Sequence, residues 1–231
     1  MSEHRGWWRR RRERSRAARL VEWGALLLVA VVVAVTAAPQ LLAWPHKAEF
    51  GSTTVYSTEP IPAGMRAVLA RADGLLAKSP LNAPIERSIF LTDGGWRWNL
   101  LALTSRGAFA LRRPWRDAVI VTRSDVASDR IDRGSVIAGS RSLSGTLAHE
   151  LTHILVARHY GEIRAARLPT WKSEGYADHV AQESSLSPAD YRRLQASGTD
   201  HPARVYFEGR RRVAAILSRN AGNPDSLFLA D

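Results

Sequence analysis

Residues 145–161 read GTLAHELTHILVARHYG, and the way this stretch folds decides how the rest of the chain is read. Its apolar residues recur at the spacing of a buried helix, and Gly161 is the residue type that most easily ends one. His149 and His153 stand four apart, which sets both imidazoles on one helical face, about a turn from each other, where they can reach one metal ion. Glu150 lies on the neighbouring part of the same surface. It is too far round to share the ligand position, but it is placed to take a proton from a water on the metal. The chain contains no cysteine, so disulfides and thiolate sites are excluded and a transition-metal site must use imidazole and carboxylate. Two histidines on a core helix also fall four apart by chance, so the reading needs a third ligand.

Two arrangements of zinc peptidases predict different third ligands. In the metzincin pattern a glycine breaks the helix three residues after the second histidine, and a third histidine follows three residues later. His159 occupies that last position, but Val156 stands where the glycine is needed. The helix then runs on and carries His159 roughly 80° away from the direction of His149. The methionine turn of that pattern is also missing, since the methionines are Met1 and Met65.

The second arrangement places a glutamate on a separate helix. Residues 168–180 read LPTWKSEGYADHV, with Glu174 twenty-one residues beyond His153. Here the chain resembles the gluzincins, the thermolysin-like clan of zinc metallopeptidases, whose active-site helix is followed by a second helix with a motif close to P-x-W-x-x-E-G-x-A. The likeness covers about residues 146–182 and points to a small peptidase-MA-like domain. It implies that His149, His153 and Glu174 hold one Zn²⁺ ion, and that Glu150 is the general base for a zinc-bound water that hydrolyses a peptide bond. Asp178, four residues after Glu174, shares its helical face, where a carboxylate can accept the free ring N–H of a ligating histidine. The resemblance assigns that histidine as His149. His179 points elsewhere on the helix and is not expected as a ligand. Many gluzincins add a tyrosine, histidine or arginine at the developing oxyanion, and Tyr176, Tyr191, His201, Tyr206 and Arg210 all remain candidates. By the same analogy the strand Ala118 to Thr122 is expected at the sheet edge, paired with an extended peptide or protein substrate. The chain lacks the G-x-M-E-N segment and the extra domains of the large aminopeptidases, which favours an endopeptidase, or a peptidase with a narrow native substrate, over a general aminopeptidase. A non-catalytic peptidase-fold binding or regulatory module is the alternative.

The N-terminus carries a topology signal. Residues 1–19 hold eight arginines against Glu3 and Glu13, which is +6 of the net charge of +11. Residues 23–42 then read WGALLLVAVVVAVTAAPQLL, the length needed to cross a hydrocarbon core as a helix. Trp23 and Trp44 bracket it, as indole rings favour membrane interfaces, and the arginines are expected on the cytoplasmic side. The expected organisation is a cytoplasmic tail at 1–19, a transmembrane signal-anchor at 20–44, a lead-in at 45–62 and an extracytoplasmic metallopeptidase domain at 63–231 at the cell membrane. Secretion after signal cleavage is the competing outcome, because the most apolar stretch, Ala25 to Val35, is short and small residues follow it. The arginine run next to a span is explained by topology and attraction to acidic headgroups, and no specific nucleic-acid partner is expected.

Apolar residues make up 45% of the chain and charged residues 24%, as in an ordinary globular protein. An amphipathic helix is predicted over Gly64 to Lys78 and short strands at Ser88 to Thr92, Ala108 to Leu111 and Ala118 to Thr122. Further helices are predicted at Ser142 to Tyr160, Trp171 to Ser184, Pro188 to Gln195 and Ala203 to Asn220. Strands first and helices later predict an α+β fold, a zincin-like domain with a small mixed sheet.

Overall fold

The computed structural model describes residues 3–134 and 137–229, with side chains from residue 16 onward. It divides into two compact units, Met1–Leu42 and Ala43–Asp231. In the first, α1 (Glu3–Ala37) is followed by a 3₁₀ turn at Pro39–Leu42. Pro39 has no N–H to donate and disfavours helical geometry in the residue before it, which accounts for the stop. The segment Arg16–Ala37 is long and apolar enough to cross a membrane, and a signal sequence near an N-terminus has the same length and composition. The arginine-rich residues run into this helix, and their side chains up to residue 15 lie outside the described residues.

The second unit mixes helices with one small sheet. In chain order its elements are β1 (His46–Phe50), β2 (Thr53–Ser57), α2 (Met65–Leu76), β3 (Arg87–Leu91), α3 (Trp96–Ala102), β4 (Ala110–Arg112), β5 (Ala118–Val121), β6 (Arg130–Asp132) and β7 (Ser140–Ser142). The helices α4 (Leu143–Tyr160), α5 (Glu162–Arg167), α6 (Thr170–Val180), α7 (Pro188–Ala196), α8 (Ala203–Leu217) and α9 (Asp225–Phe228) follow. The stretch 45–62, read from sequence as a lead-in, thus supplies two strands of the sheet.

The five-stranded sheet has the order β1-β2-β3-β5-β4, with β6 and β7 as a separate hairpin. β2, β3 and β5 run parallel, while β1 and β4 are antiparallel to their neighbours. Val55, Ile89 and Val119 stand side by side across the parallel strands and join α2 and α4 residues such as Val68, Leu147 and Leu151 in the main core. On the other face of β3, Phe90 meets Trp44 at 5.2 Å and Tyr56 at 4.9 Å between ring centroids, as the two-residue period of a strand requires.

One expectation is corrected. The strand Ala118 to Thr122 is not at the sheet edge, because β5 lies between β3 and β4, and β4 is the edge. All four residues of β5 are buried, and an uninterrupted apolar run of this kind belongs to an interior strand covered on both faces.

α4 is the central helix. From Leu143 to Ala157 every side chain is buried except those of Glu150 and His153, which stay partly open. Ser142 caps its N-terminus by accepting from the Gly145 N–H at 3.0 Å, and Gly161, at φ 89°, ends it. Glu183 from beyond α6 accepts both the backbone N–H and the hydroxyl of Ser142, at 2.9 and 2.6 Å, so a carboxylate also sits at the positive end of the helix dipole. α6 and α8 cross at two glycines. A Cβ on Gly175 would lie 2.5 Å from the carbonyl carbon of Gly209, and one on Gly209 would lie 2.7 Å from the Trp171 carbonyl oxygen. Only residues without a Cβ permit this approach.

Candidate metal centre

α4 and α6 bring His149, His153 and Glu174 together. His149 Nε2 lies 3.1 Å from Glu174 Oε2, His153 Nε2 lies 3.2 Å from His149 Nε2, and His153 Nε2 lies 3.5 Å from Glu174 Oε1. Donors bound tetrahedrally to zinc at its usual N and O distances stand about 3.3 Å apart. The two imidazole nitrogens at 3.2 Å match that spacing, while the two Glu174 oxygens are divided between the histidines, and one ligand atom from each residue all lie within 4.8 Å of one another. The remaining ring nitrogens are held from behind: His149 Nδ1 is 2.8 Å from Asp178 Oδ1, and His153 Nδ1 is 3.3 Å from the Ser173 hydroxyl. A carboxylate accepting from Nδ1 sets the His149 tautomer and leaves the Nε2 lone pair facing the shared point. With both rings neutral, their Nε2 lone pairs and the Glu174 oxygens would face one another at these distances, so the cluster suits a bound positive charge, whether a proton or a metal ion.

Asp178 is fully buried and also accepts from Arg141 at 3.0 Å. Burial works against its ionisation, but the Arg141 charge and the His149 hydrogen bond outweigh burial and lower its pKa. Burial likewise opposes a charged His149, yet hydrogen bonds to Asp178 and Glu174 push its pKa up to about 10. Glu174 is held far below the carboxylate range, as the charge of His153 and hydrogen bonds to both histidines overcome burial. Together these directions describe ionised Glu174 and Asp178 carboxylates around a charged imidazole.

Glu150 points to the edge of the sheet, where its Oε2 accepts the Arg112 backbone N–H at 2.8 Å. The register explains why that N–H is available. The Phe109 carbonyl and the Arg113 N–H bond inward to β5, so the alternate residues Ala110 and Arg112 turn their backbone groups outward. The Arg112 guanidinium forms a bidentate pair with Glu162 at 3.0 Å, and the same carboxylate accepts the Trp115 N–H at 2.7 Å. α5 is thereby fastened to the end of β4.

A cavity of about 520 Å³ opens over these groups, bounded by Gly107 to Arg112 on one side and by His201 and Tyr206 on another. Two of the five oxyanion candidates line it. The Tyr206 hydroxyl has no hydrogen-bond partner among the described residues, and its pKa is raised by burial and then by Glu174, Asp178 and Glu150, which keeps the phenol protonated as a donor. His201 accepts the Ala203 N–H through Nδ1 at 3.1 Å. Tyr176 is buried against Ser79 and Tyr191 is bonded to Glu208, each at 2.8 Å, and Arg210 does not line the cavity. His159 is exposed against Tyr160, and His179 lines a different cavity; neither joins the cluster.

Sequence reasoning did not single out Arg141, Ser173, Glu183 or the Arg112 N–H. Ser173 had a signal, being next to Glu174 on a helix that had already been recognised. The others meet the site only through tertiary folding. Comparison with family models, with curated proteins and with solved structures found no match.

Proposed function

We propose that the unit Ala43–Asp231 is a zinc-dependent peptidase of gluzincin type, an endopeptidase, held at the membrane by the helix that precedes it. The observation that carries this reading is the cluster of His149, His153 and Glu174, whose imidazole nitrogens lie 3.2 Å apart and each within 3.5 Å of a Glu174 oxygen, next to a carboxylate that stands outside it. Bound there, zinc would supply a Lewis acid that brings the pKa of a coordinated water toward neutrality and draws electron density from a carbonyl.

This chain's own residues do the rest. Glu150 is held through Oε2 by the Arg112 N–H and uses Oε1 to take the proton of the attacking water, which it then delivers to the leaving amine. Tyr206 donates its phenolic proton in a hydrogen bond to the developing oxyanion. The outward N–H and C=O of Ala110 pair with an extended peptide laid along the edge, so β4 fills the role that the sequence had suggested for β5. Asp178, fixed by Arg141, keeps the His149 ring aimed at the ion.

The test is metal analysis of the purified protein together with a proteome-wide cleavage screen of wild type and Glu150→Gln. The expected result is one zinc per chain in both proteins and cleavage in the wild type alone, with kcat for Glu150→Gln lower by about 10²–10⁴. Zinc retained with no Glu150-dependent cleavage would instead support a binding module built on the same scaffold.

A further inference from the structure

Among the large apolar side chains of the second unit that stand out into solvent, three belong to α3 and to the loop that follows β4. Trp96 is 58% exposed, Leu103 48% and Trp115 78%. Leu103 and Trp115 also adopt positive φ, 50° and 55°, a region that bulky residues rarely enter. The positions are physically linked. Trp96 opens α3 and Leu103 caps it, a helix only about 10 Å long. The Arg113 guanidinium donates to the Leu101 carbonyl at the end of α3 and stands two residues before Trp115. An arginine accompanies each: Arg97 follows Trp96, Arg106 lies three residues beyond Leu103, and Arg116 follows Trp115.

α3 is also fastened to the point where the chain enters this unit. Arg97 donates to the Ala43 carbonyl at 3.1 Å and lies over the rings of Trp96 and Trp44, at 4.6 and 5.6 Å from their centroids. Five residues separate Ala43 from the end of the apolar helix at Ala37, a reach of at most roughly 20 Å. If that helix is anchored in a bilayer, chain connectivity alone keeps α3 close to the membrane surface.

We propose that the surface bearing Trp96, Leu103 and Trp115 seats in the lipid headgroup layer, so that the catalytic unit works against the membrane rather than free above it. This rests on the anchor reading given above. Indole rings favour the headgroup level, and arginine side chains are drawn to acidic headgroups. Separate aromatic side chains with arginines between them suit a fluid surface better than a shaped protein partner, whose docking site has a contiguous apolar centre. Gly107, four residues beyond Leu103, begins the wall of the catalytic cavity. The substrate class that follows is polypeptide lying along the membrane surface, such as segments next to the spans of other membrane proteins.

The absence of cysteine gives a clean test. Full-length protein carrying Thr104→Cys receives one spin label and is placed in nanodiscs of mixed phosphatidylcholine and phosphatidylglycerol, and the label's collisions with oxygen and with a water-soluble nickel complex are compared. The expected result is an interfacial depth value that shifts to the bulk-water value when Trp96→Ala and Leu103→Ser are added. A bulk-water value in the otherwise intact chain, while the protein stays in the discs, would overturn the docking and leave the anchor standing. A label shielded from both oxygen and nickel would overturn it in favour of a protein contact. A chain that leaves the discs on flotation would sink the anchor and the docking together.

Discussion

Asp178 has no exposed surface, and its Oδ1 is shared by His149 at 2.8 Å and Arg141 at 3.0 Å. A carboxylate in that position both orients the imidazole and raises its basicity toward a metal. Asp178→Asn is expected to keep the fold but weaken zinc binding by about 10–100-fold, read by competition with a chromogenic chelator. An unchanged affinity would mean that the His149 ring is oriented by packing alone. Helical period set Asp178 on the face of Glu174, but its pairing with His149 came from the family resemblance alone. Arg141 was not legible, because it stands 37 positions from Asp178 in a strand of three residues and is brought in by the β6–β7 hairpin. The oxyanion candidates could be narrowed only once the cavity wall was known, as none of the five sits at a spacing that sets its direction.

At the level of elements, the crossing of α6 and α8 sets where Glu174 and Tyr206 point. Gly175→Ala would drive a Cβ into the Gly209 backbone, which cannot move aside as a side chain can. The expected cost is about 1–3 kcal/mol, seen as a lower midpoint in thermal or denaturant unfolding. Gly145→Ala is the comparison, because its Cβ would meet the ends of the Glu183 and Ser142 side chains, and it should cost less. The contact between α5 and β4 gives a pH signature. Burial raises the pKa of Glu162, but its bonds to Arg112 and the Trp115 N–H prevail, and the folded value falls below the ordinary 4.5. A lowered carboxylate pKa stabilises the fold above the unfolded value, and that contribution is lost as pH falls through the folded one. Glu162→Gln should thus be less stable than wild type at neutral pH, with the gap closing as pH drops below 4.5, measured by urea midpoints across pH. A gap independent of pH would place the effect in packing instead. The long elements were readable because periodicity and caps agree: α4 begins at Ser142 and stops at Gly161 as expected. α3, α5 and α9 are too short to show a period, and β1 and β2 lie in a stretch whose prolines and small polar residues suggested an extended lead-in with room for one short strand. The order of strands was not legible, since pairing is decided by side chains far apart in sequence.

For the whole molecule, the division at Leu42 separates a helical segment from the unit that carries the candidate metal site. If Arg16–Ala37 is an uncleaved span, the protein should resist alkaline carbonate extraction, retain its N-terminal residues and expose the second unit to protease from outside the cell. Carbonate release, with a new N-terminus after the small residues near Ala37, would establish the secreted form. The charge pattern suggested this organisation because it lies in one contiguous stretch.

The sheet has two margins, and neither offers a long unoccupied strand for a second copy of this unit to pair with. β4 is three residues long, and one of its outward N–H groups is already taken by the Glu150 carboxylate. β1 carries the exposed ion pair Lys47 with Glu49 at 2.8 Å, and charge on a border strand discourages addition. Crowded copies of this unit therefore have little means of zipping together through their backbones.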